Sequence, residues 1–402
     1  MWTVGNAAAQ FTTIASTTTI NPAGTTAFTL LDQRPAIANG LVSFQASGGG
    51  PTGIFTGSGG TVTAVASAGV TDPFGGAPLA TFGSTDLSGS RVAFPASPNG
   101  APGPTGVYSA TLPGGSLTGV AGASTAIPNG TGNFTGFGNP VAVSGTNFAF
   151  SGGNFNNSGI YANVGSGGSL VRIVSTTVTV PNGAGPFVGF STPVLAGTTV
   201  AFSGQGGGRQ GVYAGSGGAL TVIADTGTNI PNGTGTFTSF PAAPPAISGT
   251  NIAFVAAGSS NQEGVYRSTI GGLARIADKT TTVPGGVGTF TDFDPIATID
   301  GTSVAFLGTD SAGQKGLFLF NGTLTRVIAV NDLYENDGIT ALNLGPFSFE
   351  NGQLAFWASI NPAKQVIVRF TPVPEPSSCL ALVGILALGW RTTRLRLLQR
   401  TR

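Results

Sequence analysis

The sequence predicts an all-β fold: a seven-bladed β-propeller of four-stranded repeats, followed by a C-terminal transmembrane helix. Three observations predict it. An anchor phenylalanine recurs at Phe44, Phe94, Phe150, Phe202, Phe254, Phe306 and Phe356, so 312 residues hold six intervals with a mean of 52. A period on the order of 20–50 residues marks a solenoid, a propeller or an array. Each unit carries four short runs rich in Val, Ile, Phe and Tyr, separated by Gly, Pro and Asn, which is the chemistry of strands and turns. The two ends are complementary half-units. Phe11 to Phe28 aligns without a gap on Leu220 to Phe237, and the unit that opens Gly352-Gln353-Leu354-Ala355-Phe356 stops at Phe370. A ring needs its ends to complete one shared blade, so six whole units and two halves give seven blades. A β-solenoid is the alternative, but it prefers shorter coils and has no use for matched ends.

Taken in order, residues 1–10 carry no strand pattern and read as a leader remnant or a disordered segment. Ala7-Ala8-Ala9 resembles the small-residue end of a signal peptide, as expected if Met1 is a truncated start of an exported chain. Residues 11–370 read as the propeller. The first run of a unit is V-A-F (Val200–Phe202, Val304–Phe306) and the second G-V-Y or G-I-Y (Gly211–Tyr213, Gly159–Tyr161). The third is L-x-x-I-A (Leu220–Ala224, Leu273–Ala277), and the fourth F-x-x-F (Phe134–Phe137, Phe187–Phe190, Phe237–Phe240, Phe290–Phe293). Pro-Asn-Gly at Pro128, Pro181 and Pro231, and Pro-Gly-Gly at Pro284, suit tight turns that need positive φ. The Gly-Ser-Gly-Gly runs at Gly57 and Gly215 read as hairpin loops, because they lack the lysine and helix of a phosphate loop. No stretch before residue 377 has a helical apolar period.

Composition limits the chemistry. Charged residues are 8% of the chain, against a typical figure of about 25%, so Ser, Thr, Asn and Gly must cover the surface. Five of the sixteen basic residues fall in the last twelve positions, leaving eleven against fifteen acidic residues elsewhere. That balance excludes a basic track for nucleic acid. The absence of histidine removes the usual general base, the commonest zinc ligand and the Ser-His-Asp arrangement. Cys379 has no partner for a disulfide. No catalytic set is read, and the chain is expected not to be an enzyme.

Carboxylates are what remains. Asp292, Asp294 and Asp300 cluster around Phe293, and two carboxylates at suitable separation support glycoside hydrolysis. The cluster does not recur in other units, so a solvated turn is expected. Asp332, Glu335 and Asp337 are a weak candidate for calcium, which takes clustered oxygens, although their spacing is not that of the twelve-residue calcium loop. No other cofactor is implied. Asp225 and Asp278 follow the third run where Ser16, Ser67 and Ser175 stand in other units, which points to a turn or cap. The period-locked phenylalanines are expected in the core rather than stacked on sugars.

The tail has three parts. Residues 371–376 are a Pro-rich linker, with Pro372, Pro374 and Pro376 excluding helix. Residues 377–402 hold an apolar run and an Arg-rich end. Cys379 to Trp390 (with Leu380, Leu382, Val383, Ile385, Leu386 and Leu388) is uncharged, and as a helix it would be about 18 Å long. That is short for a bilayer core of about 30 Å unless Leu395, Leu397 and Leu398 extend it and the arginines snorkel. Arg391, Arg394 and Arg396 form a basic stop that keeps the tail cytoplasmic and the propeller outside.

This order resembles the PEP-CTERM sorting signal of Gram-negative bacteria that make extracellular polysaccharide, with Val373-Pro374-Glu375-Pro376 as the motif. The resemblance implies removal of the tail by an exosortase, an integral-membrane enzyme, after transient residence in the inner membrane. It implies delivery to the cell surface or the extracellular matrix of a biofilm, with exopolysaccharide as partner. The repeats resemble a bacterial tandem-repeat family with an N-x-x-G-x-x-A-F signature. Gly352 to Phe356 fits its second half, Phe349 stands where the Asn would be, and other units open on Ser144-Gly145, Ser248-Gly249 or Asp300-Gly301. That resemblance implies surface display and no known reaction. The expected function is an exported structural or binding protein. The alternatives are a polysaccharide hydrolase or lyase on the propeller, and a calcium-stabilised adhesin.

Overall fold

The computed structural model describes residues 10–372 apart from residue 156 and residues 362–363. Thr12–Arg369 forms one compact unit, and its sheets are the blades of a seven-bladed β-propeller. We number the blades one to seven by the anchors Phe44 to Phe356. In blade five the innermost strand is broken into Phe237–Ser239 and Ala246–Ser248, both antiparallel to Asn251–Gly258. Glu263–Thr269 follows, then the outermost strand Gly272–Asp278. Blade six has an unbroken inner strand, Asp292–Asp300. Each inner strand neighbours those of the two adjacent blades in a closed circuit. Among the described residues of the second unit, the rings of Phe11 and Phe370 lie 5.1 Å apart.

The seventh blade takes its outermost strand from the other end of the chain. Gln10–Ser16 lies beside Lys364–Thr371, and the Thr17 N–H donates to the Gln365 carbonyl at 3.0 Å. The ends share a blade as the alignment predicts, but the split is three strands and one rather than two and two. The repeat phase is the reason. The F-x-x-F run bonds forward, with Phe237 opposite Gly258 and Ser239 opposite Ala257. It is therefore the first strand of the next blade, not the fourth of its own. Spacing along the chain is the same for either partner, so periodicity alone could not fix the phase.

The crossings between blades contain the Pro-Asn-Gly segments. Asn129, Asn182 and Asn232 have φ of 54°, 61° and 54°, in the left-handed region that Asn tolerates. Their carbonyls accept from Arg172, Arg209 and Arg275 of the blade being entered, at 3.0, 3.2 and 3.2 Å. Asp225 turns the chain into the crossing: its Oδ1 accepts from the Gly227 N–H at 2.8 Å and the Thr228 hydroxyl at 3.1 Å. Asp278 does the same with Thr280 and Thr281.

Alternation along each strand gives a blade two unlike faces. In blade five Phe254 and Tyr266 lie in the core shared with blade four, whereas Val255 and Val265 lie in the core shared with blade six. Phe237 and Phe240 complete an aromatic quartet with Phe254 and Tyr266, with centroids 4.8–6.2 Å apart. Such pairs contribute about 0.5–1.5 kcal/mol each beyond the area they bury. The closing interface is built alike: Ala355, Trp357 and Ile367 of blade seven pack on Phe28, Phe44 and Phe55 of blade one.

A register shift sits at the central aromatic of the third strand, between Val212 and Tyr213 and at the equivalent step of other blades. Bulges increase the local twist, and the outermost strand turns inward there. Gly211 is required by that approach, because a Cβ on it would lie 2.5 Å from the Ala224 carbonyl oxygen.

At that central position blades one and six carry Phe55 and Phe318, while Tyr161 and Tyr213 bury a hydroxyl with no partner among the described residues. Tyr108 instead donates to Asp72 at 3.1 Å. Tyr213→Phe is therefore expected to leave stability unchanged or raise it by up to about 1 kcal/mol, and Tyr108→Phe to lower it by about 1 kcal/mol. Urea unfolding of both variants checks this; equal destabilisation by the two would refute it.

Candidate functional site

Where the seven inner strands meet, positions fixed by distance from the anchor phenylalanine come into register. The residue seven before the anchor is apolar in every blade, from Ile37 to Phe349, and lines a central well of about 210 Å³. The next residue is Ser88, Ser144, Ser248, Asp300 or Glu350 in five blades and Ala38 or Ala196 in two. The residue after that has a φ of 50–60° in every blade, with Asn39 and Asn351 replacing the glycine of the others. This left-handed residue turns the chain outward, and a neighbouring side chain catches the turn. Gly145 N–H donates to Ser88 Oγ at 3.0 Å, Gly197 to Ser144 at 2.9 Å and Gly301 to Ser248 at 2.9 Å. Asp300 accepts from Gly352 N–H at 2.7 Å, and Glu350 accepts from Asn39 N–H at 2.6 Å across the closure. The Ser-Gly and Asp-Gly pairs visible in the sequence are thus blade-to-blade ties.

One layer deeper, Asp86 accepts from the N–H groups of Leu87 and Val143, both at 2.7 Å. At the same level Thr298 donates to the Pro346 carbonyl and Ser348 to that of Pro35, at 3.2 and 2.7 Å. Burial pushes the Asp86 carboxyl well above its ordinary value despite its two donors, and the Glu350 charge adds to this. Glu350 is also raised, by burial first, against the Asn39 N–H, with the Asp300 charge adding. The well is closed by Phe347 of blade seven, which packs against the cores between blades one and two, three and four, and four and five. Only a side chain on the axis reaches all three. Its one sequence signal was a phenylalanine where other units hold Pro35, Thr85, Val141, Pro193, Pro245 or Ala297.

The carboxylates singled out in the sequence are dispersed or engaged. Asp292, Asp294 and Asp300 lie along one strand. Asp294 pairs with Lys315 at 2.7 Å, and Asp300 is tied to Gly352. Those two are six residues apart, roughly 20 Å at the rise of an extended strand, beyond the about 5–9.5 Å of glycosidase pairs, while Asp292, two residues from Asp294, has for its neighbour a carboxylate already paired with Lys315. Around the calcium candidate, Glu335 and Asn336 have φ of 53° and 72°, as a two-residue hairpin turn requires, and join Leu333–Tyr334 to Asp337–Gly338. Lys364 and then Thr13 hold the Glu335 carboxyl below its usual range, and Asp332 faces Arg326 at 3.5 Å. Among the described residues no group of three or more Asp, Glu, Cys or His is placed to hold a metal ion.

Two expectations follow for the ties. Ser248→Ala should cost up to about 1 kcal/mol, the value of one hydrogen bond, because Gly301 is exposed and water reaches its freed N–H. Glu350 holds its proton in the fold where the unfolded chain has released it, so its stabilising contribution is complete below the ordinary carboxylate range and is lost as pH rises through the raised value. Glu350→Gln keeps an oxygen for the Asn39 N–H and removes the charge. It should melt with the parent below about pH 4 and above it at about pH 7. A difference independent of pH would contradict this account.

The sorting motif Val373–Pro376, the apolar run Cys379–Trp390 and the arginines from Arg391 lie outside the described residues. Among the described residues no helix is long and apolar enough to cross a membrane. Residues 372–396 match the PEP-CTERM protein-sorting motif, a signal for export, transient membrane anchoring and, in general, exosortase processing. No curated protein matches the chain. Among solved structures, the β-propeller domain of the trilobed protease from Pyrococcus furiosus is 11% identical over 87% of this chain and 100% of that one, with a TM-score of 0.50. An oligogalacturonate lyase from Vibrio parahaemolyticus is 12% identical over 92% and 99%, with a TM-score of 0.49. The acylaminoacyl peptidase of Pyrococcus horikoshii is 12% identical over 82% of this chain, which spans about half (49%) of that one, with a TM-score of 0.47. At such identities the likeness is one of fold. Residues 3–180 and 141–323 match a family of unknown function, DUF7453. Together the two matches run over most of the repeats, and the chain belongs to that family.

Proposed function

We propose that this chain is a non-enzymatic binding protein of the cell surface or extracellular matrix, whose propeller associates with exopolysaccharide after the C-terminal tail is removed. The observation that carries the reading is the PEP-CTERM motif at residues 372–396 on a closed propeller. The state of the acidic groups supports binding over catalysis, since Asp86, Asp300 and Glu350 are spent on backbone N–H groups of adjacent blades. With few charges, the outer surface offers hydroxyls and amides, which suit a hydrated, uncharged polymer.

Two measurements test this. Intact mass of the mature protein from the native host should show loss of the residues after Pro374–Pro376 only when the exosortase is present. A tail retained in both strains would make it a plain membrane anchor. The mature protein should also sediment with the host exopolysaccharide and leave the polymer's length unchanged. Shortened polymer would favour the hydrolase or lyase, and no association at all would defeat the binding role.

A further inference from the structure

The slot between blades one and two lacks the arginine that spans the slots after blades five and seven. On blade five the residue after Tyr266 is Arg267, whose guanidinium lies 5.6 Å from the Phe320 ring centroid and donates to the Thr302 carbonyl of blade six. On blade seven Arg369 reaches the Gly40 carbonyl of blade one at 2.5 Å. Thr302 and Gly40 hold the same place, four residues before the anchor, and the equivalent in blade two is Ser90. Facing it, blade one carries Thr56 after Phe55. Threonine is too short to cross, as are Ser109, Ala162 and Ala214 at the same place in blades two to four, and beside Thr56 the slot forms a cavity of about 480 Å³, within the roughly 300–1,000 Å³ of small-molecule sites.

Its lining has a definite chemistry. Leu41, Leu112 and Pro113 supply apolar wall, Thr56, Thr63 and Ser90 supply hydroxyls, and no ionisable side chain is present. Thr56, only 5% exposed as a residue, stands in the wall of the slot. The contrast with blade two is direct. There the equivalent Ser109 bonds across the strands to Thr118 at 3.0 Å, while Thr56 stands opposite Thr63 in the same register without bonding. A threonine hydroxyl both donates and accepts, so a ligand hydroxyl in the slot could pair with Thr56 and Thr63.

We infer that the slot between blades one and two is a binding site for an uncharged, hydroxyl-rich ligand: the terminal sugar of a neutral glycan. Sugar hydroxyls would meet Thr56, Thr63 and Ser90, and the C–H face of the ring would lie on Leu112 and Pro113. The absence of ionisable groups selects against uronic acids and amino sugars, whose charge would be desolvated without a counter-ion. The biological source of the sugar rests on the exopolysaccharide reading above; the chemistry of the slot does not.

The test is calorimetric titration of the mature protein with methyl glycosides of glucose, galactose, mannose, rhamnose and N-acetylglucosamine, with methyl glucuronide as the charged comparison. At least one neutral glycoside should bind at a single site and the glucuronide should not. Thr56→Val keeps the shape, removes the hydroxyl and should weaken binding about tenfold. Thr56→Arg installs the side chain that fills the slot on blade five and should abolish binding while the protein melts like the parent. Failure of every neutral glycoside to bind, or binding unchanged in Thr56→Val, overturns the inference even if Thr56→Arg does not fold. Sedimentation with the host polymer, run in parallel, separates the two readings. Polymer binding without glycoside binding sinks the slot alone, and glycoside binding without polymer binding sinks the exopolysaccharide role alone.

Discussion

Blade packs on blade through unlike faces, and every other feature of the propeller is subordinate to that contact. Phe254 and Tyr266 point back to blade four while Val255 and Val265 point forward to blade six, because successive side chains of a strand leave on opposite faces. Across the interfaces on either side of blade five, large rings therefore meet mainly small aliphatic groups. A fully buried side chain of this size contributes about 1.5–3 kcal/mol through removal from water. The series ends only where it meets itself, and Trp357 against Phe28 and Phe44 is that meeting.

The axis solves a different problem. Seven strands converge there, and each chain segment turns outward through a residue at φ of 50–60°. Gly and Asn accept that conformation with little strain. The turn leaves an N–H with no strand partner. Ser88, Ser144, Ser248, Asp300 and Glu350 supply it from the next blade. Two of these are carboxylates in a confined well, so the acidity there follows from the fold and requires no catalytic explanation.

An exported protein with so few charges must meet water through neutral polar groups, here Thr, Ser, Asn and Gly. The blade-one slot is the same logic turned inward. Repetition holds the framework, and divergence at single positions creates what the framework does not need. Arg267 and Arg369 seal their slots, whereas Thr56 leaves one open.

Much of this was legible in the chain. The anchor phenylalanines reported the period, the matched ends reported closure, and Pro-Asn-Gly reported left-handed turns that Asn129, Asn182 and Asn232 adopt. These are local or periodic properties, written in residue type and spacing. The phase of the repeat was not legible, because F-x-x-F is equally spaced from the strand before it and the strand after it. Nor was the plug at Phe347, the ties at Ser144 and Ser248, or the open hydroxyl of Thr56. Each depends on which residues, distant along the chain, the ring brings face to face. The sequence by itself determined a closed ring of β units with a sorting tail, since periodicity and complementary ends survive without coordinates. Only the tertiary structure decided which side chains share the axis and which slot stays empty, because convergence of seven separate strands is a property of no single repeat.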